Sequence, residues 1–120
     1  METQPIVAVI DRDRLTAYGL ALLLRDWGYD AVTGTTADEI LGHIGARGAP
    51  IAAIVADERG EGGTTGGEEA SALAAFARRA IPTIVIGGDA AEAPDHAHMP
   101  KPIEPIRLRD LLQIMIKIAP

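Results

Sequence analysis

Two aspartates and one lysine stand where short apolar runs end, and residues of these types could hold and transfer a phosphoryl group. Asp11 follows Ile6-Val7-Ala8-Val9-Ile10, Asp57 follows Ile51-Ala52-Ala53-Ile54-Val55-Ala56, and Lys101 comes just after His98-Met99. Paired carboxylates hold a hard divalent cation such as Mg²⁺, which prefers oxygen ligands. Such a cation and a lysine would neutralise charge on a phosphoryl group moving to a carboxylate nucleophile. The alternative for either acid taken singly is a strand-ending residue near a helix N-terminus.

Whether these residues meet depends on the elements that carry them. The β-branched, uncharged runs fit strands buried on both faces, as in a parallel sheet. Five strands are expected in all: 6–10, a short 30–33, 51–56, 82–86 and a minimal 98–99. Between them lie helical patterns. Residues 14–27 carry Leu15, Gly19, Leu22 and Leu23 at i, i+4, i+7, i+8 spacing, with Gly28 suited to the left-handed stop. Thr36 and Glu39 read as a capping box opening a helix with Ile40, Leu41 and Ile44, which ends near Gly48-Ala49-Pro50. Residues 59–67 hold five glycines in positions 60–67 and read as a loop, beside Asp57 as a mobile flap. Glu68 to Arg79 reads as an Ala-rich helix with acids first and bases last. A last helix runs from about Glu104 to Ile118 with Leu108, Leu111, Leu112 and Met115 on one face.

Strand–helix alternation predicts a doubly wound α/β sheet in one domain over residues 1–120. Right-handed crossovers put all strand C-termini at one edge, where such sheets bind ligands. Asp11, Asp57, Gly87 and Lys101 all follow strands, so topology alone brings them together.

In order and spacing, the chain resembles the receiver domains of two-component response regulators and hybrid histidine kinases. The resemblance rests on Val-Ala-Val-Ile-Asp11-Arg12-Asp13, Asp-Trp-Gly28-Tyr-Asp-Ala-Val32, Ile54-Val55-Ala56-Asp57, Ile81-Pro82-Thr83-Ile84 and Lys101-Pro102, and it covers nearly the whole chain. It implies a flavodoxin-like five-stranded parallel sheet of order 2-1-3-4-5. It also implies that Asp57 accepts a phosphoryl group from a histidine kinase or phosphotransfer protein, and that Lys101 binds the phosphoryl oxygens. Mg²⁺ would be held by Asp11, Asp57, the backbone carbonyl of Arg59 and, as a further candidate, Asp13. The domain would signal to an output partner by protein contacts. With no DNA-binding region following, output is expected through protein contacts or phosphate relay.

Four departures stand beside the resemblance. Arg12 occupies the place of the family's second acid, which bears on the Mg²⁺ site. Gly87 stands where the family has the Ser or Thr that senses phosphorylation, and Thr83 lies too early to replace it. The aromatic switch position falls on His98 or Met99. Thirteen residues (88–100) separate Gly87 from Lys101, fewer than usual, so the fourth helix, between the fourth and fifth strands, should be shortened or missing. The family's dimer mode would then be absent, leaving a monomer or another interface. These departures favour a second reading, a pseudo-receiver that binds partners without phosphotransfer.

Other classes find less support. A net charge of −6 without a basic stripe argues against nucleic acid. No segment resembles a targeting signal or a membrane span, and with no cysteine a reducing, cytoplasmic setting is expected. A flavodoxin-like cofactor binder would need stacking aromatics, and these make up 3% of the chain. Asp95-His96-Ala97-His98 could clip Zn²⁺ or Ni²⁺, though solvated histidines are the simpler reading. His43 reads as surface, and Trp27 and Tyr29 as packing at the core's edge. The Gly-rich loop lacks the Gly-Lys-Ser/Thr ending of a nucleotide-binding loop.

Overall fold

Uncharged β-branched residues bury well on both faces of a pleated strand, and the apolar runs use both. The computed structural model describes residues 4–45, 50–88 and 96–118. In chain order the elements are β1 (Ile6–Ile10), α1 (Arg14–Asp26), β2 (Asp30–Gly34), α2 (Ala37–Ile44), β3 (Ile51–Asp57), α3 (Gly66–Ala77), β4 (Thr83–Ile86), β5 (Ala97–Met99) and α4 (Pro105–Ile118). The strands form one parallel sheet of order β2-β1-β3-β4-β5. This is the doubly wound architecture expected from the alternation of strands and helices.

Each face of the sheet has its own core. Val7, Val9, Val55, Ile84 and Ile86 pack under α1 and α4, where Leu24, Leu108 and Leu112 are fully buried. Ile6, Ala8, Ile10 and Ile54 face the other way, onto Ile40 of α2 and Leu73 of α3. Truncating any one of these leucines or isoleucines to alanine would cost about 2–5 kcal/mol. The sheet that fixes the site is thus clamped from both sides. Among the described residues no helix is long and apolar enough to cross a membrane.

Several local expectations need correction. The buried face of α1 is Ala17, Leu20, Ala21 and Leu24, whereas Leu15 and Leu22 are 79% and 49% exposed. The two alanines, one turn apart, let the helix backbone approach the sheet closely, so small residues and not the leucine count set the packed face. The expected capping box of α2 is only half present. Thr36 Oγ1 accepts from the Glu39 amide at 3.2 Å, but the Glu39 carboxylate takes Arg14 at 2.7 and 2.9 Å. The Ala37 amide, at the first helical position, donates to Glu69 of α3 at 2.7 Å.

The complete capping box lies at Thr65 and Glu68. It starts α3 two residues earlier than expected, so Gly66 and Gly67 are helical. The helix stops at Ala77, with Arg78 left-handed at φ 58°. Gly28 takes the expected left-handed conformation at φ 95°. The end of the second helical segment at 48–49 and most of the stretch assigned to a shortened fourth helix (89–95) lie outside the described residues. So does Asp95 of the histidine-containing motif.

Candidate functional site

Parallel topology brings the C-terminal ends of β1, β3 and β4 to one edge, and the loops leaving them line an open cleft. Asp11, Asp57 and Lys101 meet there, together with Arg12, Glu58 and Arg59. Among the described residues, no aromatic side chain lines this cleft, which removes the stacking that a flavin would need.

Asp57 ends β3 and is only 9% exposed. Its Oδ2 accepts from the Arg59 amide at 3.1 Å, and its Oδ1 lies 2.6 Å from Lys101 Nζ. Lys101 reaches it from the turn after β5, and the Lys101–Pro102 peptide is cis. Asp11, equally buried, accepts from the Asp13 amide at 2.8 Å. Burial holds the Asp11 carboxyl above its ordinary range, with the charges of Asp57 and Asp13 adding to the rise; the Asp13 amide and Lys101 oppose it. An oxygen donor set with excess negative charge suits a hard divalent cation, so Asp11 and Asp57 fit Mg²⁺ in kind.

The neighbours of Asp11 are differently employed. Asp13 is the N-cap of α1, its carboxylate accepting from the amides of Leu15 and Thr16 and from Thr16 Oγ1 at 2.8 Å. These bonds pull its pKa down, led by the Thr16 hydroxyl. Its carboxylate is committed to the helix. Arg12 is exposed and lines the cleft. Arg59 pairs with Thr65 in an isolated antiparallel bridge, closed by Gly66 N to Glu58 O at 3.1 Å and Gly60 N to Thr64 O at 2.9 Å. That ladder employs the Glu58 carbonyl and the Gly60 amide and leaves the Arg59 carbonyl outside it. The Gly-rich segment is therefore stapled at its base, with a 3₁₀ turn at Glu61–Gly63.

On the other side of Asp57, Gly87 follows β4 at φ 85° and donates to the Met99 carbonyl at 2.7 Å. Gly88 is left-handed too, at φ 72°. Thr83, as anticipated, is remote: its hydroxyl donates to the Ile81 carbonyl at the start of β4. His98 and Met99 lie on β5, His98 partly exposed and Met99 buried. The residue that sequence reasoning overlooked is Glu58. Its carboxylate lies against both glycines and 3.9 Å from Lys101 Nζ. The available signal was an acid next to Asp57 combined with a Gly-Gly pair ending a neighbouring strand.

The chain is similar in structure to receiver domains over nearly its whole length. It superposes on a response regulator receiver protein from Burkholderia phymatum with a TM-score of 0.75 at 26% identity, covering 97% of this chain and 98% of that one. A sensor protein from Polaromonas sp. JS666 gives 0.76 at 22% identity, covering 96% and 98%. The chemotaxis protein CheY4 of Vibrio cholerae gives 0.78 at 19% identity, covering 94% and 99%. No protein-family model matches the chain, and neither does any curated protein sequence. The fold is that of receiver domains, and the sheet order is the one their resemblance implied.

Proposed function

We propose that this chain is a phosphoacceptor receiver domain of a two-component pathway, in which Asp57 takes a phosphoryl group from a histidine kinase or phosphotransfer protein. The observation that carries this reading is Asp57 at the end of β3, bonded through Oδ1 to Lys101 Nζ at 2.6 Å. In the transfer, a carboxylate oxygen of Asp57 attacks phosphorus as the P–N bond of the donor phosphohistidine breaks. The imidazole nitrogen keeps the bonding pair and takes up a proton. Lys101 then shifts its charge from the carboxylate to the phosphoryl oxygens, which is electrostatic stabilisation of developing charge. The Arg59 amide holds the second carboxylate oxygen in line.

Asp11, Asp57 and the Arg59 carbonyl are the groups that would hold Mg²⁺, with Asp13 contributing only as the α1 cap. When bound, the cation would neutralise phosphoryl charge. Output would pass to a partner protein, because the site lies on an open edge of the domain.

A second reading, the pseudo-receiver, is favoured by Gly87, which offers no hydroxyl to a phosphoryl group, and by Arg12 in place of an acid. Adding Mg²⁺ with beryllofluoride, a phosphoryl mimic, separates the two by NMR. The phosphoacceptor reading expects amide shifts centred on Asp57, Arg59 and Gly87, lost in Asp57→Asn. No shift at millimolar Mg²⁺ would leave the pseudo-receiver as the function.

A further inference from the structure

The space beside Lys101 at the end of β4 is filled, and what fills it is the acid that follows β3. A Cβ added at Gly87 would come within 3.1 Å of Glu58 Oε1 and 3.2 Å of Lys101 Cε. One added at Gly88 would come within 2.7 Å of Glu58 Oε2, closer than real Cβ atoms approach an oxygen. The two left-handed glycines therefore border a notch that the Glu58 carboxylate occupies, and at their positive φ a side chain would be strained. The Glu58 backbone is pinned on both sides: its amide donates to the Ile86 carbonyl at 2.9 Å, and its carbonyl accepts from Gly66 at 3.1 Å. Only the side chain is free to change place.

From this geometry we infer that Glu58 is a positioning residue, a resident carboxylate that competes with an incoming phosphoryl group for Lys101 and must leave the Gly87–Gly88 notch when that group arrives. The inference rests on Asp57 being the acceptor. In the resting site Lys101 has two anionic neighbours, Asp57 Oδ1 at 2.6 Å and Glu58 Oε1 at 3.9 Å. Phosphorylation adds negative charge to Asp57 and places it within reach of the same ammonium. Two anions on one cation repel in a partly desolvated cleft, and the one that is not covalently tied to the acceptor is the one that moves. Glu58 is about one-third exposed, so solvent is open to it. Its departure empties the notch between the ends of β3 and β4. This gives the site a moving part where Gly87 removes the usual hydroxyl.

The charge-removing, shape-keeping variant Glu58→Gln tests this. Binding of beryllofluoride with Mg²⁺ is measured by NMR for wild type, Glu58→Gln and Asp57→Asn at low and high ionic strength. Glu58→Gln should bind roughly tenfold more tightly than wild type, and the gap should narrow as salt rises. A purely structural role for Glu58 would produce no such salt dependence. The Gly88 amide should shift on binding in wild type and less in Glu58→Gln, since the neutral amide can keep its seat. Binding by Glu58→Gln alone would overturn the displacement, since a silent wild type is the pseudo-receiver outcome and no group would then arrive at Asp57 to move Glu58. Equal or weaker binding by Glu58→Gln, with wild type responding at Asp57, would overturn the role of Glu58 and leave the acceptor intact. Failure of both proteins to bind would overturn the acceptor reading, and the inference with it.

Discussion

The two flanks of Asp57 are built on opposite plans. On the β1 flank, charged residues abound but several serve the fold: Asp13 caps α1, and Arg14 pairs with Glu39 to tie α1 to α2. Asp11 shares the cleft with Asp57, and burial, with the charge of Asp57 adding to it, holds its carboxyl above the ordinary range. On the β4 flank, the strand is followed by two residues without side chains, and the acid just after β3 occupies the space beside them. The first flank supplies negative charge that a cation would relieve. The second supplies a cation, Lys101, already shared between two acids. The contrast shows that similar charges at one sheet edge can have separate tasks, decided by which backbone groups already hold them.

Removing the cation of the β4 flank should have the largest effect. Lys101→Ala should slow phosphorylation of Asp57 by a small-molecule phosphodonor about 10²–10³-fold, the usual loss when one preorganised charge-stabilising donor is deleted. A rate within twofold of wild type would mean that the two flanks do not divide the work as described. Next comes the β1 flank. Arg12→Asp restores an acid beside Asp11, and Mg²⁺ affinity should rise about tenfold, since ligand charge tunes such sites. Titration calorimetry or NMR reads this directly, and unchanged affinity would show that the Arg12 position does not face the cation.

The smallest effect is on stability. The folded protein disfavours ionised Asp11, so its cost is absent below the unfolded carboxyl's ordinary pKa of 3.8 and grows as pH rises through the raised folded value. Asp11→Asn should therefore raise the melting temperature at neutral pH without Mg²⁺, by about 2–4 °C. That gain should vanish near pH 3.5. Saturating Mg²⁺ should stabilise wild type and leave the variant unmoved. A variant less stable than wild type at neutral pH would mean that Asp11 is better accommodated than its burial implies.

The architecture was legible because its signal is repeated. Each apolar run ends at a polar or flexible residue, and alternation with helices leaves few topologies. The meeting of Asp11, Asp57 and Lys101 followed from that alone. What escaped depends on contacts between segments distant in sequence. The packed face of α1 is set by Ala17 and Ala21 approaching β1, which a count of leucines does not reveal. Glu39 is drawn from its own helix terminus by Arg14, 25 positions away. Asp13 carries the same charge as Asp11, and only the phase of the helix shows that its carboxylate is spent on a cap. Glu58 was the hardest to foresee, because its place exists only through the left-handed conformations of Gly87 and Gly88.

The stapled excursion after Asp57 has a further consequence. Glu58 to Gly60 and Thr64 to Gly66 are bonded to each other, and a Cβ at Gly66 would collide with the Asp57 carbonyl, so the stems are locked against the sheet. The tip at Glu61–Gly63 is exposed. Extra residues inserted there would lengthen a hairpin's end and leave the acceptor's backbone where it is, because closing a longer loop costs only about 0.6 kcal/mol per doubling. This turn is the natural place to graft a recognition peptide or a fluorescent reporter beside the site without rebuilding it.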